Sequence, residues 1–179
     1  MVLILSGPVH GGKTTFLELS LPRWAARGVR PCGFLSVPAA DGQGRKCYDL
    51  LEVRTGRRLP YLRREGETGA ERAGPFSFVP GTLELARALI RGAKPDEILV
   101  VDEAGPLELR GGGLWPELRK VLADPARRSL VVVREEILED FAAALAPAVP
   151  LVLDVRDPNA GKLMDGYLFG TVTPDADQG

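Results

Sequence analysis

Residues 2–16 read VLILSGPVHGGKTTF. The stretch opens on the apolar run Val2, Leu3, Ile4, Leu5. It then fits G-x-x-x-x-G-K-[ST] at every fixed position, with Gly7, Gly12, Lys13 and Thr14. That spacing describes a phosphate-binding loop between a strand and a helix. Gly7, Gly11 and Gly12 let the backbone turn tightly and aim its N–H groups at phosphate oxygens. The candidate phosphate-binding residues are Gly7, Pro8, Val9, His10, Gly11, Gly12, Lys13, Thr14 and Thr15. Lys13 has the reach and charge for the β- and γ-phosphates, which also makes it a catalytic candidate. The Thr14 hydroxyl suits Mg²⁺. The helix that follows offers its positive end to the anion. His10 is the only histidine, and its place in the loop asks only for its backbone.

A chain of 179 residues suits one domain, expected over 1–172, with a flexible tail at 173–179. A hydrophobic share of 45%, a charged share of 26% and a formal net charge of −1 describe a soluble globular chain. That balance points to neither nucleic acid nor an anionic membrane. No apolar run is long enough for a membrane span. Cys32 and Cys47 show no metal or redox spacing. A cytoplasmic location is the expectation.

Along the chain, apolar strands alternate with helical segments. A helix after the loop is expected to break or reshape near Leu21 and Pro22 and to stop at Gly28. Residues 34–63 read as antiparallel β structure, with strands near 34–37, 46–53 and 59–63 and a hairpin signal at Asp41-Gly42. Residues 65–74 read as a loop and 76–79 as a short strand. Helices are expected at 83–90, 114–122 and 136–146, and strands at 97–101, 130–133 and 149–155. The sum is an α/β fold of the phosphate-loop class: a mainly parallel sheet flanked by helices, with a small antiparallel insert after the first helix.

The second informative stretch is Ile98, Leu99, Val100, Val101, Asp102, Glu103. An apolar strand here delivers two carboxylates at its C-terminal end, where open α/β sheets hold ligands. Asp102 fits the Mg²⁺ shell beside Thr14. Glu103, one residue on, is placed to orient or deprotonate a water in line with the γ-phosphate. Arg134 follows the strand at 130–133 on the same edge and is the first candidate for an arginine that stabilises transition-state charge; Arg110 is the second.

Asp102-Glu103-Ala104-Gly105-Pro106-Leu107-Glu108-Leu109 resembles the Asp-Glu-Ile-Gly-x-Met-Glu-Leu stretch of the small nucleoside-triphosphatase family first described from thermophiles. Gly33-Phe34, Tyr48-Asp49-Leu50 and Thr55-Gly56-Arg57 are similar to that family too, and the likeness runs over residues 2–133. Ala104 and Leu107 replace the usual Ile and Met, and Gly111-Gly112-Gly113 follows where the family has a more ordinary segment. The resemblance implies hydrolysis of ATP, GTP and other nucleoside triphosphates to the diphosphate.

Two other classes compete. In a small-molecule or nucleotide kinase, the Arg-rich insert (Arg45, Arg54, Arg57, Arg58, Arg63, Arg64, Arg72) would be a lid over an acceptor. In a GTP-dependent switch protein, Asp102 to Gly105 would serve as Asp-x-x-Gly. No Asn-Lys-x-Asp for guanine is present; Asn159 to Asp165 has those letters at the wrong spacing. A nucleoside triphosphate is the expected partner, and no protein partner is legible.

Overall fold

The computed structural model describes residues 1–40, 46–64 and 71–170. The Asp41-Gly42 hairpin, Arg45, residues 65–70 of the expected loop and the tail at 173–179 lie outside the described residues.

The described strands are β1 (Val2–Gly7), β2 (Pro31–Ala40), β3 (Lys46–Glu52), β4 (Arg58–Arg63), β5 (Arg72–Ala73), β6 (Phe76–Phe78), β7 (Ile98–Ala104), β8 (Arg128–Arg134) and β9 (Leu151–Asp154). They form one sheet in the order β5-β6-β4-β3-β2-β7-β8-β1-β9. The pairings β2–β7, β7–β8, β8–β1 and β1–β9 are parallel. The pairings β2–β3, β3–β4, β4–β6 and β6–β5 are antiparallel. The sheet is therefore mixed rather than mainly parallel, and the antiparallel part is half of one continuous sheet rather than a small insert.

β2 joins the halves. Residues 31–34 of β2 pair in parallel with β7, and residues 34–40 pair antiparallel with β3. Its last six residues thus run beyond its pairing with β7. At about 3.3 Å per residue, they carry the antiparallel half roughly 20 Å past that point. This overhang places a β wall beside the C-terminal edge of the parallel half.

The helices are α1 (Lys13–Ala26), α2 (Thr82–Arg91), α3 (Pro106–Leu109), α4 (Trp115–Leu122), α5 (Leu138–Ala144) and α6 (Ala160–Phe169). A 3-10 turn, Glu135–Ile137, leads into α5. α1 and α6 cover one face, where Leu17, Leu21, Trp24, Met164 and Leu168 pack on Leu3, Leu5, Val100 and Val132. α2, α4 and α5 cover the other, where Leu83, Ile90, Leu118 and Phe141 pack on Ile4, Val101, Val131 and Phe34. Every residue of β1 is buried, as expected for a strand covered on both faces.

α1 runs unbroken through Pro22. An interior proline costs a helix about 3 kcal/mol. Burying Leu17, Leu21 and Trp24 gains about 1.5–3 kcal/mol per large side chain, so packing outweighs propensity. Trp24 is also tied across to α6, where its Nε1 donates to Asp165 at 2.7 Å.

Candidate active site

β8 lies between β1 and β7, so the loop and the two carboxylates leave the sheet two strands apart at one edge. The register sets Gly7 opposite Arg134 and Ser6 opposite Asp154. The C-terminal ends of β1, β7, β8 and β9 therefore converge, as ligand sites in open α/β sheets require.

The loop has the geometry its glycines imply. Gly7 adopts φ 148°, and a Cβ there would lie 2.7 Å from Val155 Cγ1. Gly12 adopts φ 85°, with open space around it. It stands at the N-terminus of α1 with no side-chain cap, so the helix directs its first N–H groups outward. Pro8 is half-buried, whereas Val9, His10 and Thr15 are exposed. His10 is itself left-handed, at φ 61°. Gly11 N donates to Pro8 O at 3.0 Å and closes the turn. Lys13 is buried, and its Nζ donates to Gly7 O at 2.7 Å and Pro8 O at 2.6 Å. The ammonium is thus held at the hub of the loop.

Thr14 Oγ1 donates to Asp102 Oδ2 at 2.6 Å. The two residues expected to share a metal are in direct contact. Burial pushes the Asp102 carboxyl up to about 7, and the charge of Glu103 adds to this. The Thr14 hydroxyl, the Ser36 backbone N–H and Lys13 pull the other way. A buried carboxylate beside a hydroxyl is a hard-oxygen pair, and a divalent cation there would hold it ionised. No group of three or more His, Cys, Asp or Glu suited to a metal occurs among the described residues. The pair fits Mg²⁺, which binds through few protein oxygens and takes the rest from phosphate and water.

At Asp102 and Glu103 the pairing of β7 with β8 slips by one: Val101 faces Val131, but Ala104 faces Val133. The extra residue lets the neighbouring carboxylates serve different partners at one site. Asp102 turns in to Thr14, while Glu103 accepts from Arg134 Nε at 2.5 Å. Arg134 is on the expected edge, but its guanidinium is engaged with the candidate base. Arg110 is exposed just beyond α3.

Further features were not legible in the sequence. Ser36 reaches Asp102 through its backbone only because β2 overhangs. Asp154, at the end of β9, is held down at about 2 mainly by hydrogen bonds from Arg156, with Lys13 adding its charge. Arg156 also donates to Glu135 at 2.9 Å. Glu108 of the motif does not face the loop. It is buried and accepts from Gly105 N at 2.8 Å and Leu114 N at 3.0 Å. It ties down the segment that follows β7.

Two arginines of the Arg-rich half are tethered. Arg54 donates twice to Glu97, at 3.0 and 2.5 Å. Arg63 donates to Asp49 Oδ1 at 2.9 Å and to Tyr48 O at 2.7 Å. These bonds fasten the antiparallel half to the strands and turns around it.

A sequence model of the family described as NTPase matches residues 2–165. The nucleoside-triphosphatase THEP1 of Pyrobaculum islandicum is 31% identical over 74% of this chain and 74% of its own. The protein of the same name from Methanopyrus kandleri is 26% identical over 87% of this chain and 79% of its own. The crystal structure of THEP1 from Aquifex aeolicus superposes with a TM-score of 0.66 at 22% identity, over 91% of this chain and 96% of that one. The solution structure of a human cancer-related nucleoside triphosphatase gives a TM-score of 0.68 at 22% identity, over 98% of each chain. Those two structures share the fold. The family match begins at the phosphate loop, takes in the two carboxylates and runs on into α6, past the end of the resemblance legible from the motifs; this chain belongs to the NTPase family.

Proposed function

We propose that the chain hydrolyses nucleoside triphosphates to diphosphate and phosphate with Mg²⁺. The observation that carries this is the contact of Thr14 with Asp102 at 2.6 Å, with Glu103 next in the chain at the mouth of the loop. The loop N–H groups and the start of α1 bind the β- and γ-phosphates, and Lys13 supplies a fixed charge there. Thr14 and Asp102 would hold the cation. A bound Mg²⁺ would supply positive charge there to neutralise the negative charge that develops on the phosphate oxygens. Glu103 takes one proton from a water whose oxygen attacks the γ-phosphorus, while the bond to the β–γ bridging oxygen breaks and the diphosphate leaves. Arg134 holds the Glu103 carboxylate in place and keeps a positive charge beside the transferring group.

No guanine-reading motif is present, so ATP and GTP are expected to compete for one site within about tenfold. Phosphate release from a panel of nucleotides, with and without acceptor metabolites, tests this reading. Transfer to an acceptor with negligible water attack would replace it with a kinase. Among the described residues no helix is long and apolar enough to cross a membrane. Cys32 and Cys47 are free thiols, which supports a cytoplasmic location.

A further inference from the structure

The Gly111-Gly112-Gly113 run, where the sequence departs from the family pattern, is held by two acidic side chains. Gly113 N donates to Glu71 Oε1 at 2.7 Å, and the next amide, Leu114 N, donates to Glu108 Oε1 at 3.0 Å. Glycine is what admits both carboxylates. A Cβ on Gly112 would lie 3.1 Å from Glu71 Oε1, and one on Gly113 would overlap Glu108 Oε1. Arg87 of α2 completes the hold: its Nε donates to Gly113 O at 2.8 Å, and its Nη2 reaches Glu71 Oε2 at 3.5 Å. Both main-chain polar groups of Gly113 are thus taken by side chains from outside its own segment. Glu71 immediately precedes β5, and its carbonyl accepts from Phe78 N at 3.1 Å. Its main chain is therefore fixed to the far edge of the antiparallel half.

From Gly113 the hold reaches the reacting end in unbroken steps. Glu108 is buried, and its other oxygen accepts from Gly105 N at 2.8 Å. Gly105 follows Ala104, the residue at which β7 re-enters register with β8 after the slip at Asp102 and Glu103. Strand pairing and Glu108 together close the slip on its far side, and Glu103 lies within it with its carboxylate on Arg134. The Glu71 side chain is 37% exposed. Water would replace much of what such a carboxylate gains from one amide, so stability alone asks little of it.

We propose that Glu71 is a positioning residue for Glu103, acting through Gly113, Glu108 and Gly105. The inference rests on the hydrolytic reading of the site. Without Glu71 the glycine run is free to shift, Glu108 loses the fixed Leu114 amide, and the main chain beyond Glu103 loosens. A small displacement of the carboxylate then costs rate, because the attacking water must lie in line with the γ-phosphorus. Nucleotide binding is spared, because the phosphate loop leaves a different strand, β1, and none of these bonds touches it.

The test is Glu71→Ala and Glu71→Gln in the full chain, with Mg-ATP affinity and single-turnover phosphate release measured separately. Glu71→Ala is expected to release phosphate about tenfold more slowly, with affinity and thermal midpoint within error of the parent. Glu71→Gln keeps an oxygen for Gly113 N and is expected to recover most of the rate. In a Glu103→Gln background, Glu71→Ala is expected to cost little more, because the group it positions is already gone. A Glu71→Ala protein as fast as an active parent overturns the proposal and leaves the hydrolytic reading standing. So do a loss of affinity at unchanged rate, a Glu71→Gln protein as slow as Glu71→Ala, and losses that multiply with Glu103→Gln. A parent that releases no phosphate from any nucleoside triphosphate overturns both.

Discussion

Thr14 and Asp102 lie 88 positions apart in the chain and share a hydrogen bond of 2.6 Å. One lies in the first turn of α1 and the other near the end of β7, and β8 alone separates β7 from β1, the strand that leads into the loop. The contact joins the two halves of the expected cation site. Asp102→Asn keeps the size of the side chain but weakens its hold on a cation. It is expected to raise the Mg²⁺ concentration for half-maximal phosphate release by about tenfold or more, or ~1.4 kcal/mol. A Mg²⁺ titration of both proteins at saturating ATP checks this. An unshifted midpoint would remove Asp102 from the metal shell.

Lys13→Ala removes the charge at the hub of the loop. Nucleotide binding should fall beyond detection at concentrations that saturate the parent, because the β- and γ-phosphates lose their fixed cation. The core packs without the ammonium, so the far-UV spectrum should not change. Calorimetric titration with Mg-ATP measures the loss, and unchanged heat would place the nucleotide elsewhere.

Acid stability should report the seam between the sheet halves. Arg54, in the turn between β3 and β4, holds Glu97 just ahead of β7. The Arg54 hydrogen bonds bring the Glu97 carboxyl from its ordinary 4.5 to about 2, against the effect of burial. As pH falls, the unfolded chain therefore takes up this proton first. The stabilisation is full above 4.5 and is lost on the way down to about 2. Arg54→Ala is expected to cost about 1–3 kcal/mol at pH 7 and to flatten the decline below pH 4.5. Urea unfolding of both proteins at pH 7 and pH 3.5 reads both effects. An equal decline in the two would assign the acid sensitivity to other groups.

Gly33→Ala should be severe. Gly33 sits in β2 at φ 93°, and a Cβ would lie 2.0 Å from the Val100 carbonyl oxygen. The obstacle is the backbone of a central strand, which cannot step aside. A loss of about 3 kcal/mol or more is expected from the clash and the left-handed conformation together. The thermal midpoint measures it, and a drop of only a degree or two would contradict the close approach.

How much was legible followed from range. The phosphate loop, the apolar strand ending in Asp102 and Glu103, and the helix expected at 83–90 are local patterns, and they sit where the letters put them. α3 is four residues long, too short for a periodic signal. α6 was missed because Gly161 and Gly166 lie inside it and lower its intrinsic propensity, while Met164 and Leu168 hold it by burial. The two-sided pairing of β2 could not be read either, because strand partners are not encoded in a strand's own residues. The same holds for Arg134. Its edge position was legible from the strand at 130–133, but its bond to Glu103 spans 31 positions and depends on the slip in β7. Nor could the letters assign Arg54 and Arg63, which the kinase alternative put in a lid, to their partners Glu97 and Asp49.

Glu103→Gln tests the central claim most directly. The substitution keeps size and hydrogen-bonding reach but removes the base. Mg-ATP affinity and single-turnover phosphate release are measured separately on the same preparation. The expected result is affinity close to the parent and release slower by about 10²-fold or more. Full release by Glu103→Gln would contradict the assignment of Glu103 as the group that takes the proton from water.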